Sequence, residues 1–292
     1  MYWKIGEEHA GMLVRDYLQT VQAFSRRMIK AVKFSDGIIV NNSPKTVRYT
    51  LSSGDILRVQ FPPEEKGALM KPDATPISII YEDEDILVID KSPGMATIPS
   101  FHHPSGTIAN GVLGHYEKHQ IPYTIHVVTR LDRDTSGLLL IAKHRYSHSL
   151  LSASQKAGKV RRKYQAVTEG HLQEKEGSIR LPIGRKEGSI IERTVTDAGK
   201  PAITAYQVIA ESAHHSLVDI ELETGRTHQI RVHFSAIGHA LAGDDLYGGS
   251  TEKISRQALH CCELQFEHPG TRETISFQSQ VPADMKQIMF EP

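Results

Sequence analysis

Near the start of the chain, apolar positions recur at helical spacing. Over residues 9–21, Met12, Leu13, Tyr17, Leu18 and Val21 fall close to one stripe and predict a helix. Ser25 reads as the N-cap of a second short helix over 26–32, in which Met28, Ile29 and Val32 are apolar, and Asp36-Gly37 ends it. An extended piece over 38–40, a turn at Asn41-Asn42 and two further extended pieces follow, the last over 55–61. The stretch 62–72 is rich in proline, glycine and charge and reads as a linker. The expected organisation is a small α/β unit over 1–65, a linker over 66–75 and a larger domain over 76–292.

In the larger domain the pattern changes. Strands are predicted over 76–81 and 86–90, split by the acidic turn Glu82-Asp83-Glu84-Asp85. A helix over 107–117 follows, then an apolar run over 137–143 that predicts a buried strand. Next come a helix over 145–157, a strand over 163–168 and two alternating strands over 203–209 and 216–223. A further helix begins after Thr224-Gly225, with Thr227 as its expected cap and Gly238 as its stop. Many strands with few helices between them predict an α+β fold built on a large mixed or antiparallel sheet, rather than a doubly wound α/β one.

Composition narrows the class. Apolar residues make up 39% and charged residues 23% of 292, enough for a sizeable core. The longest apolar run, 138–142, is far short of the ~18 residues that would span a bilayer. The opening Met1-Tyr-Trp-Lys-Ile-Gly-Glu-Glu puts carboxylates where a secretory signal would be apolar. Cys261 and Cys262 are adjacent, so no disulfide framework is expected, and the location expected is the cytoplasm. Lysine plus arginine equals aspartate plus glutamate at 34 each, which conceals an uneven distribution. Residues 1–62 hold nine basic and five acidic side chains, and Lys156, Lys159, Arg161, Arg162 and Lys163 form a cluster without an acid. Phosphate binding depends on such local excess, although either cluster is also compatible with a solvated face.

The chain has no glycine loop for a dinucleotide or nucleoside triphosphate, no nucleophile elbow and no zinc-protease helix. His260-Cys261-Cys262 with His268 lacks the spacing of a structural zinc site, so no metal is expected. Two other segments concentrate chemistry. The first, Val128-Thr-Arg-Leu-Asp-Arg-Asp-Thr-Ser-Gly137, sets a charged loop directly before a buried strand, where a scaffold can fix reactive groups. Asp132 lies between Arg130 and Arg133, which favours its ionised form. The bland alternative is a salt-bridged turn. The second, Glu223-Thr-Gly-Arg-Thr-His-Gln-Ile-Arg-Val-His-Phe234, carries Arg226 at a helix start and Arg231 between Ile230 and Val232. A guanidinium near the core is costly unless a carboxylate or an anionic ligand meets it, and the alternative is that both arginines are solvated.

Two resemblances follow from these residues. Ser25-Arg26-Arg27-Met-Ile-Lys30-Ala-Val-Lys33, then Gly37-Ile-Ile-Val40-Asn-Asn42 and Gly54-Asp55-Ile56, resemble the S4 RNA-binding domain. That likeness implies that Arg26, Arg27 and Lys30 face RNA backbone. Arg130-Leu-Asp-Arg-Asp-Thr-Ser-Gly-Leu-Leu-Leu-Ile-Ala-Lys143, Lys163-Tyr164, Thr224-Gly-Arg-Thr-His-Gln-Ile-Arg-Val-His233 and Gly243-Asp-Asp-Leu-Tyr-Gly248 are similar, in order and spacing, to the motifs of the RluA-type pseudouridine synthases. The resemblance covers about 76–292.

This second resemblance implies an isomerase that converts specific uridines in RNA to pseudouridine, and the S4-like unit favours ribosomal rather than transfer RNA as the substrate. It implies Asp132 as the attacking aspartate, Tyr164 against the uracil and able to serve as a base, and Arg231 paired with Asp132. Ile230 would pack beside the ring, and Arg130 would replace the extruded base in the stack. No cofactor, no metal and no membrane partner are implied, and a monomer is expected. The chain departs from the family pattern at Thr129, where histidine is usual, at Asp90-Lys-Ser-Pro-Gly94 and at Ile98-Pro99. The alternative expectation is a noncatalytic RNA-binding or ribosome-assembly protein on the same scaffold.

Overall fold

The computed structural model describes every residue except 65, 66, 68, 69, 101, 102, 291 and 292, and the backbone alone of residue 290. The chain divides into two compact units, Met1–Lys66 with Pro122–Thr124, and Gly67–Ile121 with Ile125–Pro292.

The first unit holds strands β1 (Tyr2–Lys4), β2 (Ile38–Val40), β3 (Ser43–Pro44) and β4 (Ile56–Val59), in the antiparallel order β1-β4-β2-β3. Two helices accompany them: α1 (Val14–Asp16), which widens into a π-turn over Tyr17–Val21, and α2 (Arg26–Phe34). The helix expected over 9–21 therefore begins only at Val14. Before it, Gly11 takes a φ of +86° and donates to Leu51 O, and Met12 O accepts from Leu51 N, so this stretch pairs as extended chain. In α2 the Ser25 hydroxyl accepts from Met28 N at 3.2 Å, satisfying one of the unpaired N–H groups of the first turn. Met28, Ile29 and Val32 are buried while Arg26, Arg27 and Lys30 are exposed.

In the second unit, β5 (Ser78–Glu82), β6 (Ile86–Lys91), β7 (His126–Val127) and β8 (Ser136–Ala142) surround α3 (Ile108–Lys118) in sequence. Then come α4 (Arg145–Lys156), β9 (Arg161–Glu169), β10 (Glu176–Arg180), β11 (Ile183–Arg185) and β12 (Arg193–Val195). The chain continues through β13 (Ile203–Glu211), β14 (His215–Leu222), α5 (Gln229–Ala236), β15 (Leu259–Glu267), β16 (Thr274–Gln278) and α6 (Ala283–Phe290). Ten strands form one sheet, ordered β10-β13-β14-β9-β15-β8-β6-β5, with β16 on β15 and β7 on β8. Every pairing is antiparallel except β15 with β8, so the sheet is mixed and the fold is α+β.

At this parallel junction Cys261 lies opposite Gly137, whose φ is +107°. A Cβ at Gly137 would collide with the Cys261 backbone, so only glycine lets β15 approach β8 there. All seven residues of β8 are buried, as expected of a strand covered on both faces.

Three carboxylates of the acidic turn before β6 are paired, while Glu84 is exposed. Glu82 is met by Lys143 at 2.9 Å and His115 at 2.8 Å, Asp83 by His268 at 2.8 Å, and Asp85 by His144 at 3.2 Å. Within the segment read as linker, 66–75, positions 66, 68 and 69 lie outside the described residues. Its later part is tied to the helix region of the second unit: Asn110 donates to Lys71 O at 2.7 Å and Gly106 N donates to Asp73 at 2.9 Å. Among the described residues, no helix is long and apolar enough to cross a membrane.

Candidate active site

Asp132 sits on the loop between β7 and β8, and that loop is pinned through its own backbone. Lys91, at the end of β6, is buried and donates from Nζ to Ser92 O, Met95 O and Arg133 O, the last at 2.7 Å. Burial lowers its ammonium to about 8. Thr97 donates to Leu131 O at 2.9 Å, and Arg256 donates to Asp134 O at 3.3 Å. Thr129, which stands where the family pattern has histidine, accepts from Leu140 N at 2.9 Å and closes the loop onto the strand.

Arg231 comes from α5. The turn before α5 is set by Gln229, whose side chain accepts from Arg226 N and Thr224 Oγ1 and donates to Ile203 O and Thr204 Oγ1. The residue at the cap is His228, not Thr227. His228 adopts a left-handed conformation, φ 56°, and makes no side-chain cap bond. A histidine with this backbone is strained, and such strain concentrates at functional positions. Gly238 follows the helix with a φ of +83°.

These elements bring Asp132 and Arg231 together: Arg231 Nη1 donates to Asp132 Oδ2 at 3.3 Å. The main partner of Arg231 is nevertheless Asp244, to which Nε and Nη2 each donate at 2.7 Å. The Asp244 side chain is fully buried and that of Arg231 7% exposed, whereas that of Asp132 is 28% exposed. The requirement for an anion beside a half-buried arginine is thus met first by Asp244. The Tyr247 ring lies 4.9 Å from the same guanidinium. Burial works against the charge on Arg231, but its bonds to Asp244 and the charges of Asp244 and Asp132 outweigh it and raise the group above its ordinary value.

The expected flanking of Asp132 by Arg130 and Arg133 does not occur. Arg133 pairs with Asp134, and Arg130 is exposed at the rim. The cation beside Asp132 is Arg231. His228 Nε2 lies 3.8 Å from Asp132 Oδ2, and its Nδ1 contacts the Tyr247 hydroxyl at 2.8 Å. Burial pushes His228 below its ordinary value, so it is neutral at pH 7. Arg226 donates to Pro201 O at 3.0 Å.

A cleft of about 250 Å³ opens at these groups, lined among others by Arg130, Asp132, Tyr164, Arg226, Ile230 and Arg231. Tyr164, on β9, lies opposite Cys261 on β15, and both it and Ile230 are buried. Burial raises the Tyr164 hydroxyl, with Arg162 partly offsetting it, and pushes the Cys261 thiol up to about 12. Tyr164 therefore holds its proton throughout the physiological range, and Cys261 is packing rather than a nucleophile. Arg26, Arg27 and Lys30 belong to the first unit, where they are exposed on α2.

Sequence reasoning missed Asp244, Tyr247, His228 and Lys91 as members of this arrangement. Asp244 and Tyr247 fall within the Gly243–Gly248 block, and His228 within the Thr224–His233 motif, so each carried a positional signal without a role.

Comparison with known proteins places the chain in a family. The family model for RNA pseudouridylate synthase matches residues 85–236. A Bacillus subtilis protein described as an uncharacterized RNA pseudouridine synthase, YjbO, is 47% identical over 95% of this chain and 98% of its own. The ribosomal large subunit pseudouridine synthase D of Neisseria meningitidis serogroup A is 36% identical over 86% of this chain and 71% of its own. Among solved structures, human RNA pseudouridylate synthase domain containing 1 superposes with a TM-score of 0.59 at 25% identity, covering 74% of this chain and 86% of that one. The chain belongs to the RNA pseudouridylate synthase family, isomerases that act on uridine in RNA.

Proposed function

We propose that this RNA pseudouridine synthase acts on ribosomal RNA, with Asp132 as its nucleophile. The observation that carries the assignment is the Asp132–Arg231 contact of 3.3 Å at the cleft. The reaction breaks the C1′–N1 bond of uridine and forms a C1′–C5 bond, at atoms inaccessible within stacked RNA, so the nucleotide must leave the stack. A carboxylate that attacks the nucleoside divides the exchange into easier steps, and an arginine that cannot lose its charge steadies the negative charge beside it.

Tyr164 lies against the extruded uracil, where aromatic stacking contributes ~1–3 kcal/mol. Because its hydroxyl is neutral, Tyr164 takes the C5 proton only as a relay, handing its own proton to Asp132 once that carboxylate is released. Ile230 packs beside the ring, and the exposed Arg130 fills the place left in the stack.

The first unit is read as an S4-like RNA-binding domain. Its α2 buries Met28, Ile29 and Val32 and leaves Arg26, Arg27 and Lys30 in solvent, the disposition a phosphate-binding helix needs. Ribosomal RNA is favoured by this unit and by the name of the Neisseria relative.

The test is a pseudouridine map of ribosomal RNA from cells lacking the protein, from cells restored with the wild type, and from cells restored with Asp132→Asn. The expected result is at least one site lost on deletion and regained only with the wild type. Sites regained with Asp132→Asn remove Asp132 as nucleophile, and loss of sites outside ribosomal RNA alone overturns the substrate.

A further inference from the structure

Arg162 stands apart from the other arginines of the cleft. Arg231 is saturated by Asp244 and Asp132, and Arg226 is held by Pro201 O. Arg162 is half-buried on β9 with no carboxylate partner, and its Nε, fully removed from solvent, has no hydrogen-bond partner among the described residues. The one bond it makes is long: Nη1 donates to the Tyr164 hydroxyl at 3.5 Å. A cation withdrawn from water without an anion beside it is expensive, and such an arrangement persists where a ligand completes it.

Its position says which ligand. Arg162 lines the cleft that holds Asp132 and also an adjoining groove of about 950 Å³. Lys156, Arg161, Lys163 and Arg226 supply the groove's other cations. Of its carboxylates, Glu221 is already paired with Lys163 at 3.4 Å and Glu223 with Arg180 at 3.9 Å. Glu263, opposite Lys163 in the register of β15 and β9, is the third carboxylate, and Lys156 and Arg161 make no ion pair among the described residues. The groove therefore retains a positive excess that begins at the reacting base and leads away from it, as a nucleic-acid strand would.

We propose that Arg162 binds a phosphodiester adjoining the flipped uridine, and that the RNA strand continues along this groove past Lys156 and Arg161. The inference rests on the reading of Asp132 and the cleft as the uridine site. A planar guanidinium matches phosphate oxygens, and a phosphate in the groove accepts from the Nη groups of Arg162 rather than from the enclosed Nε. Glutamine keeps a polar side chain without the charge, and removing an unpaired, half-buried cation does not threaten the fold.

The experiment compares wild type, Arg162→Gln and Arg162→Lys for turnover and for affinity toward transcribed ribosomal RNA over a range of salt. Pseudouridine formation by the wild type keeps the parent reading in place whatever Arg162 does. Arg162→Gln is expected to raise KM and Kd roughly tenfold with kcat little changed. It is also expected to flatten the slope of log Kd against log salt by about 0.7, the loss of one single-strand phosphate contact, and Arg162→Lys is expected to restore that slope. An unchanged slope in Arg162→Gln overturns the proposal. So does a fall in kcat with a shifted pH profile and an intact slope, which assigns Arg162 to the Tyr164 hydroxyl. A second measurement needs no variant: with wild-type protein, RNA made neutral by methylphosphonate linkages on either side of the target uridine is expected to lose the same increment of slope, and an unaltered slope also refutes the phosphate contact.

Discussion

Arg231 gives its two 2.7 Å bonds to Asp244 and a longer one, 3.3 Å, to Asp132. The buried carboxylate neutralises the guanidinium and fixes its plane, while the half-exposed one is held by a single oxygen. Asp132 is thereby held beside a cation without being locked into a bidentate pair, which suits the role of nucleophile proposed for it.

Asp132→Asn retains size and the contact with Arg231 but cannot attack. Pseudouridine formation is expected to fall by at least ~10³-fold, with thermal unfolding and RNA affinity close to wild type. Mass-spectrometric nucleoside analysis after incubation with RNA checks this. The noncatalytic alternative requires no change in any modification.

Asp244→Asn leaves Arg231 buried with only Asp132 as its anion. The expected cost is about 3 kcal/mol of stability, read from urea unfolding, together with loss of activity as Asp132 is drawn into the pair. A variant as stable and as active as wild type would show that Asp244 does not govern the arginine.

The acidic turn makes the second unit acid-sensitive. Burial pushes Glu82 and Asp85 upward, but Lys143 and His115 on Glu82, and His144 and Ser147 on Asp85, outweigh it and hold both below the usual carboxylate range. Groups whose folded-state value is depressed add stability above their unfolded value, near 4, and lose it as pH falls through the folded value. The unfolding midpoint is expected to drop below about pH 4, and Glu82→Gln to flatten that dependence. Melting curves from pH 3 to 7 provide the measurement.

Gly137→Ala forces a side chain into the Cys261 backbone at a φ of +107°. Parting β8 from β15 is expected to cost at least ~2 kcal/mol and to displace the loop that carries Asp132, seen as a lowered denaturant midpoint with lowered activity.

Arg26→Ala with Lys30→Ala is expected to leave both units folded and to reduce the salt slope of RNA binding by about 1–2. Filter binding at several salt concentrations checks it, and an unchanged slope separates α2 from the RNA.

Much of this architecture was legible because local signals and tertiary packing agree. Ser25 caps α2, the apolar run becomes the buried β8, and alternation over 203–223 becomes two paired strands. Where they disagree, packing wins. The helix stripe over 9–21 is interrupted because Gly11, Met12 and Leu13 pair with Thr50 and Leu51, a contact forty residues distant that no local pattern reveals. In the cleft, the spacing of motifs pointed to Asp132 and Arg231 but not to Asp244, since which carboxylate a buried arginine meets is decided by how α5 lies against the turn after it. The neighbours of Asp132 in sequence misled because adjacency alone does not decide contact: Arg133 turns to Asp134, Arg130 is exposed, and the distant Arg231 meets Asp132.

Asp132 and Arg231 are 99 positions apart along the chain, and the anchor of Arg231 is later still. A ribosome translating this protein has thus made the carboxylate proposed as nucleophile long before the cation beside it. On that reading competence arrives late, and a nascent or prematurely terminated chain that ends before Arg231 is expected to carry Asp132 yet leave the RNA around it unaltered.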